Sequence, residues 1–192
     1  MITLLRVPLF LALLVVCSFA GAAEAILRAP AAFSIGGDRQ VIGLHAAALD
    51  NDRFTDLIAV TSHAIVFAYA TADGTFVERQ RFTTEGRTHL SAIGEPLPDG
   101  RRLLAVASQE EYFLTIVTIS VGGGEAPEPA GSVTFLGDAH ELTVADANGD
   151  QLPDVAGTGA NGAFLSITGD GGRLQQPQWY DESHRYEFLR DL

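Results

Sequence analysis

The chain has 192 residues, 47% of them hydrophobic, which suffices for one domain with its own core. Its formal net charge of -12, from 24 acidic against 12 basic residues, argues against a nucleic-acid partner, whose binding rests on Lys and Arg at phosphates. The same surplus suits cation binding, and it equally suits plain solubility.

The N-terminus reads as a secretory signal over residues 1–25. Arg6 supplies a positive charge, Val7 to Ala20 is almost wholly apolar, and small residues follow. Both Ala20-Gly21-Ala22 and Ala23-Glu24-Ala25 fit an A-x-A cleavage site. The apolar run is shorter than the about 20 residues a spanning helix needs. A cleaved signal is therefore expected, with no integral membrane span after cleavage and an extracytoplasmic location, periplasmic or secreted. Cys17, the only cysteine, lies inside the run behind Val16, where lipidation favours a small residue. A mature chain without it has no disulfide and no thiolate chemistry.

From Ala31 onward, short apolar runs alternate with Gly, Asp, Asn and Pro turns, the pattern of an all-β domain over residues 26–192. Three stretches align without gaps: Asp56 to Val60, Arg102 to Val106 and Asp154 to Thr158. Leu57 and Leu103 are 46 residues apart, and Leu103 and Val155 are 52. Phe33, Phe82, Phe135 and Trp179 each precede a turn with a similar period, and Asp73-Gly74 and Asp170-Gly171 are tight-turn signals.

The predicted repeats cover 33–82, 83–135 and 136–180, with the start of a fourth at 181–192. The first holds strands near Val41–Ala47, Leu57–Thr61, Ala64–Ala70 and Phe76–Phe82. The second holds Thr88–Ile93, Leu103–Ser108, Tyr112–Val121 and Gly131–Phe135, with Gly122 to Pro129 as a loop insertion. The third holds Glu141–Ala145, Val155–Thr158, Ala163–Thr168 and Arg173–Tyr180. Four short antiparallel strands make one blade of a β-propeller, which closes with about four to eight blades. The expectation is about three blades with partial strands at each end, an incomplete propeller. Asp191, 45 residues after Asp146, reads as the start of another loop. The chain then reads as the N-terminal piece of a longer protein or a truncated frame, or as an open stack that self-associates through its edges.

The chemistry sits in Asp146-Ala147-Asn148-Gly149-Asp150-Gln151-Leu152-Pro153-Asp154. Asp146, Asn148, Asp150 and Asp154 offer side-chain oxygens and Leu152 a backbone carbonyl, a donor set for calcium. Zinc would call for His or Cys. An EF-hand needs Glu at the twelfth position and Gly at the sixth, where Gly157 and Gln151 stand. The first repeat carries an eroded copy from Ala48 to Asp56. Asp50, Asp52, Asp56 and the Phe54 carbonyl remain as a weaker site, while Ala48 removes the first ligand and Arg53 adds positive charge. In the second repeat Gly94, Pro96, Pro98 and Arg102 take these places, so no site is expected there, only a stiff turn. Turn-forming Asp and Asn alone are the competing explanation.

Asp146 to Val155 resembles the calcium loop of FG-GAP and VCBS repeats, the β-propeller repeats of integrin α subunits, with Gln151 in place of the family's second glycine. The resemblance spans about Phe33 to Leu192 and includes Gly169-Asp170-Gly171. It implies a β-propeller with calcium between the first two strands of a blade. It also implies a non-catalytic, extracytoplasmic role in binding or adhesion toward a protein or carbohydrate. The alternative is an accessory propeller domain of an exported enzyme whose catalytic part lies elsewhere.

Other candidate chemistry is weaker. His45, His89, His140 and His184 lie near first strands, but at unequal offsets, so solvated or hydrogen-bonded histidines are expected rather than a ring of ligands. Ser91, Ser108 and Ser166 lie in no nucleophile-elbow setting. Glu110-Glu111 reads as a hairpin tip, and Trp179-Tyr180 as core before sugar platform.

Overall fold

The computed structural model describes residues 40–169 and 173–180. The expected signal segment, the Phe33 landmark, the expected Asp170-Gly171 turn, His184 and the loop start expected at Asp191 lie outside the described residues. Twelve strands and no helix occur among those described. Strands β1 (Val41–Ala47), β2 (Asp56–Thr61), β3 (Ala64–Ala70) and β4 (Phe76–Thr83) form one sheet. Strands β5 (Arg87–Ile93), β6 (Arg101–Glu110), β7 (Phe113–Gly122) and β8 (Glu125–Leu136) form the second. Strands β9 (Glu141–Ala145), β10 (Asp154–Gly159), β11 (Gly162–Ser166) and β12 (Gln178–Tyr180) form the third. Each sheet is an antiparallel meander in chain order, and among the described residues none pairs with another or closes on itself. No helix among the described residues is long and apolar enough to cross a membrane.

The middle sheet is buried on both faces, and the pleat explains how. Side chains alternate along a strand, so β6 sends Leu103, Ala105 and Ala107 to one side and Leu104 and Val106 to the other. The first set joins Leu114, Ile116, Val133, Phe135, Val155 and Phe164 in a core shared with the third sheet. The second set joins Ile58, Val60, Ile65, Phe67, Ile119 and Val121 in a core shared with the first sheet. The register agrees: Leu104 stands opposite Ile119, and Ala107 opposite Ile116. The unbroken apolar run of β3 is buried at every position.

First strands lie side by side, and small residues permit it. A Cβ on Gly43 in β1 would sit 2.1 Å from Ser91 Oγ in β5, and one on Gly94 would sit 2.8 Å from Val144 Cγ1 in β9. His45 Nε2 lies 2.9 Å from Ser91 Oγ, and His89 Nε2 lies 3.2 Å from the Ala139 carbonyl oxygen. His45 thus ties the first sheet to the second, and His89 ties β5 to the β8–β9 connection.

Burial pushes the His45 pKa below its ordinary value. The unfolded chain therefore binds the proton first as pH falls through about 6.5. Stability is expected to decline from that point and to level off once pH drops below the folded-state pKa. His45→Gln should flatten this part of the stability curve, read from urea melts across the pH range.

One expected element is corrected. Gly122 to Pro129 is not a loop insertion: Gly122, Gly123 and Gly124 take positive φ in a tight turn, and β8 begins at Glu125. The extra residues lengthen the β7–β8 hairpin. Pro127 and Pro129 are tolerated because β8 is the edge of its sheet, where a missing N–H breaks no ladder on the open side. The fourth strand of the third sheet is also shorter than predicted, with Thr168 and Leu174 joined only by an isolated bridge ahead of β12.

Candidate metal loops

The β9–β10 loop holds Asp146, Asn148, Asp150 and Leu152, and Asp154 opens β10. Asp146 accepts the Gly149 N–H at 2.7 Å and the Gln151 N–H at 2.9 Å. Asn148 Oδ1 accepts the Asp150 N–H, and Asp150 Oδ1 the Leu152 N–H. Asp154 differs in being 1% exposed. Its Oδ2 accepts the Ala147 N–H at 3.0 Å and its Oδ1 the Thr168 N–H at 2.7 Å. One carboxylate thus ties the start of the loop to the far end of the β10–β11 hairpin.

The β1–β2 loop repeats this scheme. Asp56, 0% exposed, accepts the Leu49 N–H and the Ala70 N–H, each at 2.8 Å. Those partners lie 7 and 14 residues away, the same separations as for Asp154. Asp50 Oδ1 accepts the Asp52 N–H, and Asp52 Oδ1 the Phe54 N–H, again at the separations seen in the β9–β10 loop. Four hydrogen bonds therefore recur position for position between loops that share few identities.

The loops differ in charge and backbone. Arg79 from β4 reaches Asp50 Oδ2 at 3.2 Å, and its guanidinium lies 4.5 Å from the Tyr69 ring centroid. A cationic side chain is thus built into the first loop, where Ala48 also removes one donor. In the β9–β10 loop Gln151 takes φ 69°, a conformation glycine adopts without strain. The β5–β6 turn uses other bonds. Leu97 and Gly100 close it through backbone hydrogen bonds, and Arg102 Nη1 approaches the Gly94 carbonyl oxygen at 3.4 Å. Where Asp56 and Asp154 accept from the loop, Arg102 donates to it.

The donor set of the β9–β10 loop fits a hard cation, being three carboxylates, an amide oxygen and a carbonyl. As folded, Asp146, Asn148 Oδ1, Asp150 Oδ1 and Asp154 accept from backbone N–H groups, and Asp150 Oδ2 accepts from the Asn148 side-chain amide. No group of three or more His, Cys, Asp and Glu side chains among the described residues is gathered to hold a metal ion. A carboxylate oxygen that accepts one N–H still keeps a second lone pair. Sequence reasoning had no sign of the Asp56 and Asp154 braces, because their partners are backbone groups that any residue supplies. Arg79 was missed because it lies 29 residues from Asp50.

Elsewhere, Glu111 and Tyr112 form the β6–β7 tip, with Glu111 at φ 53°. Trp179 packs against Phe135 and Phe164, which makes it core. His140 is exposed, 3.5 Å from Asp138 Oδ2. The sequence matches no protein-family model and no curated protein.

Proposed function

We propose that this chain is an exported, calcium-stabilised β-propeller module of the FG-GAP/VCBS kind, non-catalytic, which presents its loops to a protein or carbohydrate. The observation that carries the reading is the recurrence of four loop hydrogen bonds at identical separations in the first and third sheets. Three four-stranded meanders with their first strands adjacent support a blade arrangement, since inner strands meet at a propeller's centre.

Asp146, Asn148, Asp150, Asp154 and the Leu152 carbonyl would hold the ion. Bound calcium supplies charge neutralisation for these crowded oxygens and fixes the turn between β9 and β10. In the first loop, Asp50, Asp52, Asp56 and the Phe54 carbonyl make the weaker site, because Arg79 already occupies one oxygen of Asp50.

Adding chelator to calcium-loaded protein is expected to lower the melting temperature. At calcium about 100-fold above Kd the ligand contributes about 2.7 kcal/mol, or about 5–10 °C in a domain of this size. Asp150→Ala should remove most of the calcium-dependent shift while leaving the chelated protein nearly as stable as wild type. An unchanged melting temperature on chelation would sink the calcium reading.

A further inference from the structure

A group of connections lies at the opposite end of the sheets from the candidate metal loops. Antiparallel order places the β6–β7 tip, the β8–β9 connection and the β10–β11 turn together there. Two bonds lock them: the Gly137 N–H donates to the Tyr112 carbonyl oxygen at 3.1 Å, and the Ala160 N–H to Asp138 Oδ1 at 2.7 Å. Between them lies a shallow, open depression of about 290 Å³ bordered by Gln109, Tyr112, Leu136, Asp138 and Asn161. Tyr112, in the β6–β7 turn, is 78% exposed, and Leu136, the last residue of β8, is 65% exposed. A Cβ on Gly137 would press to 3.0 Å from Trp179 Cζ2, so glycine lets the β8–β9 connection lie close against that ring.

We propose that this depression binds a neutral sugar ring. A sugar has an apolar C–H face and a rim of hydroxyls. Tyr112 offers an exposed aromatic face beside Leu136 for the first. Gln109, Asp138 and Asn161 offer planar amide and carboxylate groups, which can donate and accept at the second. The volume, about 290 Å³, lies just below the about 300–1,000 Å³ typical of small-ligand pockets, which suits a single sugar ring rather than a larger ligand. The net charge of -12 and Asp138 at the rim disfavour anionic sugars. The assignment rests on the binding-module reading above and names its ligand class and surface. It is read from sugar binding rather than from calcium-dependent melting, so either can fail alone.

The test is ligand-observed NMR and calorimetry on the full chain with glucose, galactose, mannose, N-acetylglucosamine and their short oligomers. At least one should bind. Tyr112→Ala and Asn161→Ala should each weaken that binding about tenfold, the effect of losing a stacking face or a rim hydrogen bond. Tyr112→Phe should stay within about threefold, since the ring remains. Both residues are at the surface, and an unchanged melting temperature checks that the variants fold. Binding of none of these sugars, or equal binding by wild type and both alanine variants, overturns the assignment. So does a Tyr112-dependent self-association or protein contact without sugar binding.

Discussion

Asp56→Ala is expected to destabilise the domain by about 3–5 kcal/mol, because two N–H groups lose a charged acceptor inside the protein. Leu49 N–H and Ala70 N–H both donate to this carboxylate from buried positions, and alanine leaves neither with a partner. Water cannot easily replace the carboxylate at a site with 0% exposure. Against a typical total of about 5–15 kcal/mol, this removes a large share of the fold's stability. The melting temperature should fall on the order of 10 °C.

Asp154→Ala should be milder, about 2–4 kcal/mol, since Ala147 N–H is only part-buried and can turn to solvent while Thr168 N–H cannot. Asn at either position keeps one acceptor oxygen but sets an NH₂ against the second N–H, so it should recover no more than about half of the loss. The Asp56 effect should persist in chelator, because the brace consists of protein atoms alone. A loss below about 1 kcal/mol, or one that vanishes in chelator, would show that this carboxylate acts through a metal and not through its two hydrogen bonds.

The contrast between brace and ligand explains which parts of the chain were legible in sequence. Strands Val41–Ala47, Ala64–Ala70 and Glu141–Ala145 are found with the predicted bounds, because each is a short apolar-rich run closed off by turn residues. β8 was misread because three glycines and two prolines announce a loop. That signal is local, whereas tolerance of proline depends on β8 lying at an edge, a property of the assembled sheet. The oxygen pattern of Asp146 to Asp154 was visible because spacing alone reveals it. The bracing role of Asp154, and its twin in Asp56, was not, since the backbone partner 14 residues on carries no side-chain signature. Arg79 likewise meets Asp50 only after β4 has folded back beside β3.

Phe164→Ala is expected to match Asp56→Ala in size while failing in a different place. Phe164 is 1% exposed, opposite Gly157 in the β10–β11 register. Its ring centroid lies 5.4 Å from that of Phe135 and 5.3 Å from that of Trp179, and those two lie 5.8 Å apart. The three rings come from β11, β8 and β12, so the cluster joins the middle sheet to the third. Truncation removes buried ring surface and leaves a cavity, a loss of about 3–5 kcal/mol. The site cannot refill from Gly157. A Cβ there would lie 2.5 Å from the Glu141 carbonyl oxygen as well as against the ring, so β9 blocks that repair. Phe164→Leu should recover much of the loss. A double-mutant cycle with Trp179→Ala should show about 0.5–1.5 kcal/mol of coupling from the ring contact. The first and second sheets share a separate core around Phe67 and Leu104. Hydrogen exchange should therefore quicken in β9 to β11 while β2 and β3 keep their protection. Equal loss of protection in all three sheets would mean that the two cores unfold as one unit and that the middle sheet transmits the defect across its full thickness.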